Sequence, residues 1–149
     1  MVGLTNGKQR SGSIIGTIIG IIKSMQNDDI VVIVEGKHDI EALKNTVDYL
    51  SSNGLISDKA INAVTIDKLR YNHLDMDGKK IIIATDDDRA GGNKKEQAIA
   101  LIRAKYPNST IDENTGIRLL KILGTNIIEG IMGPIKDIIG IDEFSNVRR

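Results

Sequence analysis

Two short aliphatic runs constrain the fold of this chain more than any other feature. Ile30–Val34 reads IVVIV and Ile81–Ala84 reads IIIA, and neither run contains a polar residue. A strand with one face in water alternates apolar and polar residues, so unbroken runs predict strands that are buried on both faces, as in a parallel sheet. Because helical apolar spacing occurs between them, the chain is predicted to be an α/β domain.

The remaining segments predict helices and further strands around these two runs. The pattern predicts a mostly parallel central sheet flanked by helices, with an N-terminal helical extension. Pro134 is expected to kink the last helix. Helices are predicted for residues 13–25, 40–50, 92–105 and 125–139, strands for residues 62–66 and 117–123, and a short helix or loop for residues 67–75.

The N-terminal part of the chain differs from the rest in composition. Residues 1–13 are polar and glycine-rich, so they are predicted to be flexible ahead of the amphipathic helix. We therefore expect residues 1–28 to form an extension and residues 29–149 to form the α/β domain. The apolar run Ile14–Ile22 is too short to span a bilayer, and no small-x-small cleavage site follows it, so we expect a cytoplasmic protein without a membrane partner.

A ridge of small residues lies along the predicted N-terminal helix. Gly12, Gly16 and Gly20 recur at every fourth position. Such spacing lets a helix approach another surface closely. The expected role is packing against the helix's own domain, and the alternative is a homodimer or a larger complex formed through this helix.

Composition narrows the chemistry that this chain can perform. There is no cysteine, which excludes disulfides, a thiolate nucleophile and a cysteine zinc site. Two histidines are too few for a histidine cage, so any metal would be a hard ion bound by oxygen. Twenty basic and twenty acidic residues balance, so a basic surface could arise only from local clustering.

Acidic residues follow both aliphatic runs, directly after the first and one residue after the second. Glu35 ends the first run, and Asp86, Asp87 and Asp88 follow the second. Ligands of open α/β sheets bind beyond the carboxyl ends of the strands, so these acids should converge if the two strands are neighbours. Alternation along extended backbone predicts Asp86 and Asp88 on one side and Asp87 in solvent. The pattern favours a metal and phosphate site, and an acidic turn in water is the alternative.

Basic residues stand next to these acids in the sequence. Lys37 follows Glu35 by two positions, and Arg89 follows Asp88 directly. One interpretation is that both bind the phosphates of a nucleic acid, where the guanidinium can contact two oxygens. The other is that they neutralise the acids internally. The sequence leaves both interpretations open.

Two motifs resemble the Toprim domain, which topoisomerases, bacterial-type primases, recombination-repair proteins and small maturation nucleases share. They are VVIVEGKHD at residues 31–39 and DxDRAG at residues 86–91, the second placed after an aliphatic strand. EGK-x-D is similar to the nuclease that trims the 5S ribosomal RNA precursor, and DxDRAG is closer to the primase version. The order of these motifs and strands extends over about residues 29–123.

The resemblance implies a role for each acid. Glu35 would be the acid/base or a metal ligand, and Asp86 and Asp88 would bind Mg²⁺ or Mn²⁺, so these three form the expected catalytic and metal set. Lys37 and Arg89 would contact nucleic acid. Topoisomerases carry a further Glu at the position of Ala90, so a topoisomerase-like metal set is not expected here.

The expected function is divalent-metal-dependent phosphoryl transfer on RNA or DNA, with hydrolysis of phosphodiester bonds as the reaction. Electrostatics and positioning would supply most of the rate, since no covalent nucleophile is evident. The alternative is a non-catalytic RNA- or DNA-binding or docking module of a larger processing, primase or repair complex. Primer synthesis within a larger primase is a third interpretation, for which no template-binding segment is evident.

Overall fold

A computed structural model describes the backbone of residues 2–147 and the side chains of residues 14–140. The elements follow one another with short connections, and strands alternate with helices along most of the chain. In chain order they are α1 (Val2–Met25), β1 (Ile30–Val34), α2 (Lys37–Ser52), β2 (Ala63–Thr65), α3 (Ile66–Tyr71), β3 (Lys80–Ile83), α4 (Arg89–Lys105), β4 (Thr110–Asp112), α5 (Thr115–Leu123), a 3-10 turn (Ile128–Gly130) and α6 (Met132–Val147).

The four strands found within residues 2–147 form one parallel sheet in the order β2-β1-β3-β4. Its two central strands are the aliphatic runs, and all five residues of β1 are buried. Val32 of β1 lies between Ala63 of β2 and Ile82 of β3 in the register. The predicted α/β fold with a parallel central sheet is therefore confirmed.

Helices cover both faces of this sheet. Val32, Val34 and Ile82 pack into a core with α1, α2, α5 and α6 on one face. The alternate residues Val31 and Ile33 pack into a second core with α3 and α4 on the other face. Because each central strand supplies side chains to both cores, neither of its faces tolerates polar residues, which explains the unbroken aliphatic runs.

The segment 117–123 was predicted to be a strand, and this prediction is wrong. It belongs to α5, whose buried residues Gly116, Leu119, Leu120 and Leu123 recur at helical spacing. The close approach of α5 to the sheet explains why this segment is so apolar. A Cβ on Gly116 would lie 2.6 Å from the carbonyl oxygen of Ile83. The strand of this region is instead β4, three residues that carry too short a pattern to predict.

The C-terminal helix also differs from its prediction. A single helix over residues 125–139 was expected, but a 3-10 turn comes first and α6 begins at Met132. Pro134 is therefore the third residue of α6, where the missing N–H has no intrahelical acceptor in any case. The proline belongs to the first turn of the helix, so the predicted kink is not needed.

The described part of the glycine ridge of α1 faces away from the domain. Gly16 and Gly20 are exposed, and a Cβ at either would meet no atom within 4 Å. The expectation that these glycines pack against their own domain is wrong, because Ile18 and Ile22 make that contact instead. Residues 2–13, predicted to be flexible, have helical backbone. The side chains of these residues, and the surroundings of Gly12, lie outside the described part. Within the described residues no helix has the length and apolarity needed to cross a membrane.

Candidate functional site

The carboxyl ends of β1 and β3 lie side by side and bring two acidic segments together. The backbone N–H of Asp86 donates a hydrogen bond of 2.7 Å to Oε2 of Glu35, 51 residues earlier in the chain. This contact confirms the predicted convergence of the two strand ends. It also places the carboxylate of Glu35 directly beside the loop that carries the aspartates.

A loop that the sequence did not point to holds the aspartates in place. The N–H of Ile128 donates to Oδ1 of Asp86 over 2.9 Å, and the N–H of Asp87 donates to the carbonyl oxygen of Asn126 over 2.7 Å. Asp87 is half-buried rather than fully in solvent. Residues 125–130 therefore fix both the path of the acidic loop and the orientation of the Asp86 carboxylate.

Asp88 is the N-cap residue of α4. Its Oδ1 accepts a 2.6 Å hydrogen bond from the N–H of Gly91, which satisfies one of the free donors in the first turn. Because of this cap, α4 begins at Arg89 rather than near Gly92 as predicted. A Cβ on Gly91 would lie 1.9 Å from the carbonyl oxygen of Asp86, so the motif needs glycine at this position.

Negative charge accumulates at this edge of the sheet. The pKa of Glu35 is raised, first by its partial burial and then by the negative charge of Asp86. The pKa of Asp39 is also raised, first by burial and then by the charges of Asp86 and Glu129, although the N–H of Gly36 donates to its carboxylate over 3.1 Å. We call Glu35, Asp39, Asp86 and Glu129 the acidic edge. Glu129 was not predicted, since only the fold brings the 3-10 turn here.

The two basic residues predicted at the site are exposed. Lys37 is the first residue of α2 and Arg89 is the first residue of α4, so both stand at helix N-termini next to the acidic edge. Among the ion pairs between residues 14 and 140, none joins either of them to a carboxylate. The structure therefore gives no direct ion pair in support of internal neutralisation, and the choice between neutralisation and phosphate contact stays a prediction.

The acidic edge offers two neighbouring carboxylates to a divalent cation. In the part of the chain that the structure describes, no three His, Cys, Asp or Glu side chains are grouped so that they could hold a metal ion. Glu35 and Asp86 do form an adjacent pair. The Glu35 carboxylate accepts from the Asp86 N–H and the Asp86 carboxylate accepts from the Ile128 N–H, and each can accept further bonds. Mg²⁺ commonly binds through one or two carboxylates and otherwise through water and substrate phosphates, so the pair fits such an ion.

The fold and the position of the acids define a Rossmann-like α/β protein with its candidate site at the carboxyl ends of the central strands. The family model of the Toprim domain matches residues 30–120, and the chain belongs to the Toprim family. The match includes Glu35 and the whole DxDRAG motif. No curated protein and no solved structure gives a significant match to the chain. Family membership indicates a nucleic-acid-related function that depends on a divalent metal.

Proposed function

We propose that the chain is a nuclease that hydrolyses phosphodiester bonds of RNA or DNA with the help of Mg²⁺ or Mn²⁺. The observation that carries this proposal is the 2.7 Å contact between the Asp86 N–H and Glu35. It joins the two Toprim motifs into one negatively charged edge. After partial burial, the negative charge of Asp86 is one of the causes that raise the pKa of Glu35, so the two carboxylates repel each other, and a bound cation would relieve that repulsion.

The proposed metal ligands are Glu35 and Asp86, with Asp88 as a third ligand if it exchanges its bond to Gly91 for the ion. A bound divalent ion would act as a Lewis acid on the phosphate. Residues 125–130 support this role, because the Ile128 N–H fixes one oxygen of Asp86 and so orients the other. Orientation of this kind is what metal ligands commonly receive from the residues around them.

Glu35 is the proposed proton acceptor or, alternatively, a further metal ligand. Partial burial and the neighbouring Asp86 raise its pKa, which brings proton transfer at this carboxyl closer to neutral pH. The hydrogen bond from Asp86 N–H holds one oxygen in position. The DxDRAG motif thus orients the side chain of Glu35, which belongs to the motif at residues 31–39.

Lys37 and Arg89 are the proposed phosphate contacts. They are exposed, and neither forms an ion pair with a carboxylate within the described residues. Both stand in the first turn of a helix, where unpaired backbone N–H groups and the helix dipole favour an anion. Cations at this place would offset the charge that develops on the phosphate during cleavage.

The proposal is tested with end-labelled single-stranded and duplex RNA and DNA, incubated with Mg²⁺, Mn²⁺ or EDTA. We expect cleavage in the presence of metal, none in EDTA, and loss of cleavage in Asp86→Asn and Glu35→Gln. Asp75→Asn is the matched control, because Asp75 belongs to an exposed acidic glycine turn, DMDG, outside the acidic edge. Cleavage in EDTA, or full activity of Asp86→Asn, would show that the proposal is wrong.

A second candidate is a module that binds nucleic acid or docks in a larger complex without turnover. Two observations favour it: Asp88 serves as a helix cap, and residues 14–140 contain no preassembled group of three carboxylates. Salt-dependent binding that survives Asp86→Asn, with no product at any metal concentration, would select this candidate over the nuclease.

A further inference from the structure

The two helical layers differ in charge although the chain as a whole is neutral. Helices α3 and α4 carry seven basic and two acidic residues. Within residues 14–140, the opposite layer, formed by α1, α2, α5, the 3-10 turn and α6, carries six basic and five acidic residues. Positive charge is therefore concentrated on the layer of α3 and α4, which is the condition for attracting a polyanion to one face.

This basic layer also carries an exposed aromatic side chain. Tyr71, the last residue of α3, is 78% exposed, against 37% for Ile14 and 43% for Ile127, the other exposed large apolar residues among those described. The guanidinium carbon of Arg70 lies 5.9 Å from the centre of the Tyr71 ring. The ring contributes little to the core, so its packing does not account for an aromatic residue here.

The position of Tyr71 relative to the acidic edge follows from the topology. Helix α3 begins at Ile66, directly after β2, and α4 begins at Arg89, directly after the acidic loop. Both helices therefore start at the carboxyl edge of the sheet and run back along the same face. Tyr71 is five residues into α3, about 8 Å along its axis from that edge at 1.5 Å per residue.

Contacts between α3 and α4 hold the Tyr71 segment in place. The Nζ of Lys105 donates to the carbonyl oxygens of Leu69, over 2.5 Å, and Asn72, over 2.8 Å, which ties the end of α3 to α4. Arg70 donates to Oε1 of Gln97 over 3.0 Å and lies 3.6 Å from a carboxylate oxygen of Asp67. The exposed ring is thus presented from a fixed backbone, with an oriented guanidinium at its side.

We propose that Tyr71 is a stacking platform for an unpaired base of the nucleic acid that the acidic edge acts on, with Arg70 beside the base and Lys68 and Lys94 along the strand. This inference rests on the proposed function. An aromatic ring can stack only on a base whose face is free, so the substrate is single-stranded where it crosses α3. Bases of RNA and of DNA stack equally well on an aromatic ring, so the proposed ligand is an unpaired base of either nucleic acid.

The chain has no tryptophan, which gives a direct test of stacking. Tyr71→Trp keeps an aromatic face and introduces a single indole, whose fluorescence is quenched when a base stacks on it. Single-stranded RNA, single-stranded DNA and a duplex are titrated into this variant in EDTA, so that nothing is cleaved. We expect quenching by the single strands and not by the duplex, and none in the matched control Ile14→Trp on the opposite layer. Binding without quenching of the Tyr71→Trp indole would overturn the proposal.

Affinity measurements separate the ring from the charges around it. We expect Tyr71→Ala to weaken single-strand binding about 5- to 150-fold, the loss of one stacked base, while Tyr71→Phe and Ile14→Ala bind like the wild type. Lys68→Ala should lower the salt dependence of binding, and Lys44→Ala on the opposite layer should not. Wild-type affinity of Tyr71→Ala would refute the platform even if cleavage is observed. Quenching and binding without cleavage in any metal would instead refute the nuclease and leave the platform standing.

Discussion

The acidic edge and the single carboxylate of Asp112 reach opposite electrostatic states. At the acidic edge, Glu35 and Asp39 have raised pKa values, because burial and neighbouring negative charges disfavour their ionised forms. At the junction of β4 and α5, partial burial would also raise the pKa of Asp112, but hydrogen bonds from Thr115 and Asn114, with the charge of Lys80, outweigh it and lower the pKa.

The difference lies in the partners that the fold supplies. Asp112 accepts hydrogen bonds from the N–H of Asn114 over 2.9 Å and from the N–H and hydroxyl of Thr115 over 3.0 and 2.5 Å, and Lys80 lies 3.7 Å away. Its charge is compensated, so it stabilises the start of α5. The acidic edge has a surplus of negative charge at the end of the sheet where ligands bind. Acids left in that state mark a candidate functional site.

The largest difference between the acidic edge and Asp112 should appear in the rate of cleavage. We expect Asp86→Asn to lower kcat about 10²- to 10³-fold, since it removes charge from the atoms proposed to act on the phosphate. Asp112→Asn should keep activity within about threefold, because Asp112 only supports α5. The measurement is initial cleavage rate at saturating Mn²⁺, with circular dichroism to show that both variants are folded. Equal losses in the two variants would remove the distinction between the acidic edge and Asp112.

The next largest effect concerns the free energy of unfolding, which alanine substitutions at two neighbouring glycines of α4 should change in opposite directions. Gly91→Ala places a Cβ 1.9 Å from the Asp86 carbonyl oxygen, so the backbone must shift. We expect a loss of about 2–4 kcal/mol in the free energy of unfolding, as in overpacked sites. Gly92→Ala meets no atom within 4 Å, and it should add up to about 1 kcal/mol through helix propensity. Urea unfolding measures both, and destabilisation by Gly92→Ala equal to that by Gly91→Ala would contradict the close approach.

The sequence predicted the features that depend on local patterns. The aliphatic runs of β1 and β3 are long enough to show burial on both faces. The acids that follow them were expected to converge if the two strands are neighbours, and the sheet order shows that they are. Glu129 could not be predicted, because it reaches the acidic edge only through the tertiary position of the 3-10 turn. The segment 117–123 was assigned to the wrong element, since its apolar residues fit a short buried strand as well as a helix packed closely on the sheet.

Asp88 shows a different reason for an incomplete prediction. Alternation along an extended strand placed it beside Asp86, but the extended backbone ends here and Asp88 becomes the cap of α4. An aspartate before a helix is also a typical N-cap, so the same residue carries two signals. Spacing in the sequence does not decide whether Asp88 binds a metal or caps α4, because the cap partner is a backbone N–H, that of Gly91, which any residue except proline would offer.

A divalent metal should stabilise the protein through the acidic edge and not through Asp112. At a Mn²⁺ concentration ten times the dissociation constant, binding to the folded state adds about 1.4 kcal/mol, or about 3–6 °C in Tm for a chain of this size. We expect this shift in the wild type and in Asp112→Asn, and its loss in Asp86→Asn. Differential scanning fluorimetry with Mn²⁺ and with EDTA measures it, and NaCl at the same ionic strength serves as a control for general ionic effects. An undiminished shift in Asp86→Asn would place the ion elsewhere.

The lowered pKa of Asp112 implies a specific dependence of stability on pH. Asp112 has a lowered pKa in the folded state, so its charged form stabilises the protein above the unfolded pKa of about 4. Asp112→Asn should lower the free energy of unfolding by about 1 kcal/mol at pH 7, as for the loss of a helix-start carboxylate. The gap to the wild type should close as the pH falls through the folded pKa. Unfolding curves between pH 7 and pH 3 test this, and a gap that widens on acidification would be inconsistent with the lowered pKa.

The smallest expected effect has the opposite sign and belongs to Glu35. Its pKa is raised in the folded state, so its ionised form destabilises the protein at neutral pH, and stability is gained as the pH falls through the folded pKa. Glu35→Gln keeps an oxygen for the Asp86 N–H and removes the charge, so it should be more stable than the wild type at pH 7. The gain should be only a few tenths of a kcal/mol, because solvent screens this partly exposed group.

The gain should shrink as the pH falls toward the unfolded pKa and as salt rises, because both changes weaken the repulsion between Glu35 and Asp86. Glu96→Gln, at an exposed position on α4, is the control for loss of a negative charge outside the acidic edge. A Glu35→Gln variant that is less stable than the wild type at pH 7 would mean that Glu35 supports the fold as Asp112 does. In that case its charge would be structural, and the case for a site that awaits a cation would lose its electrostatic basis.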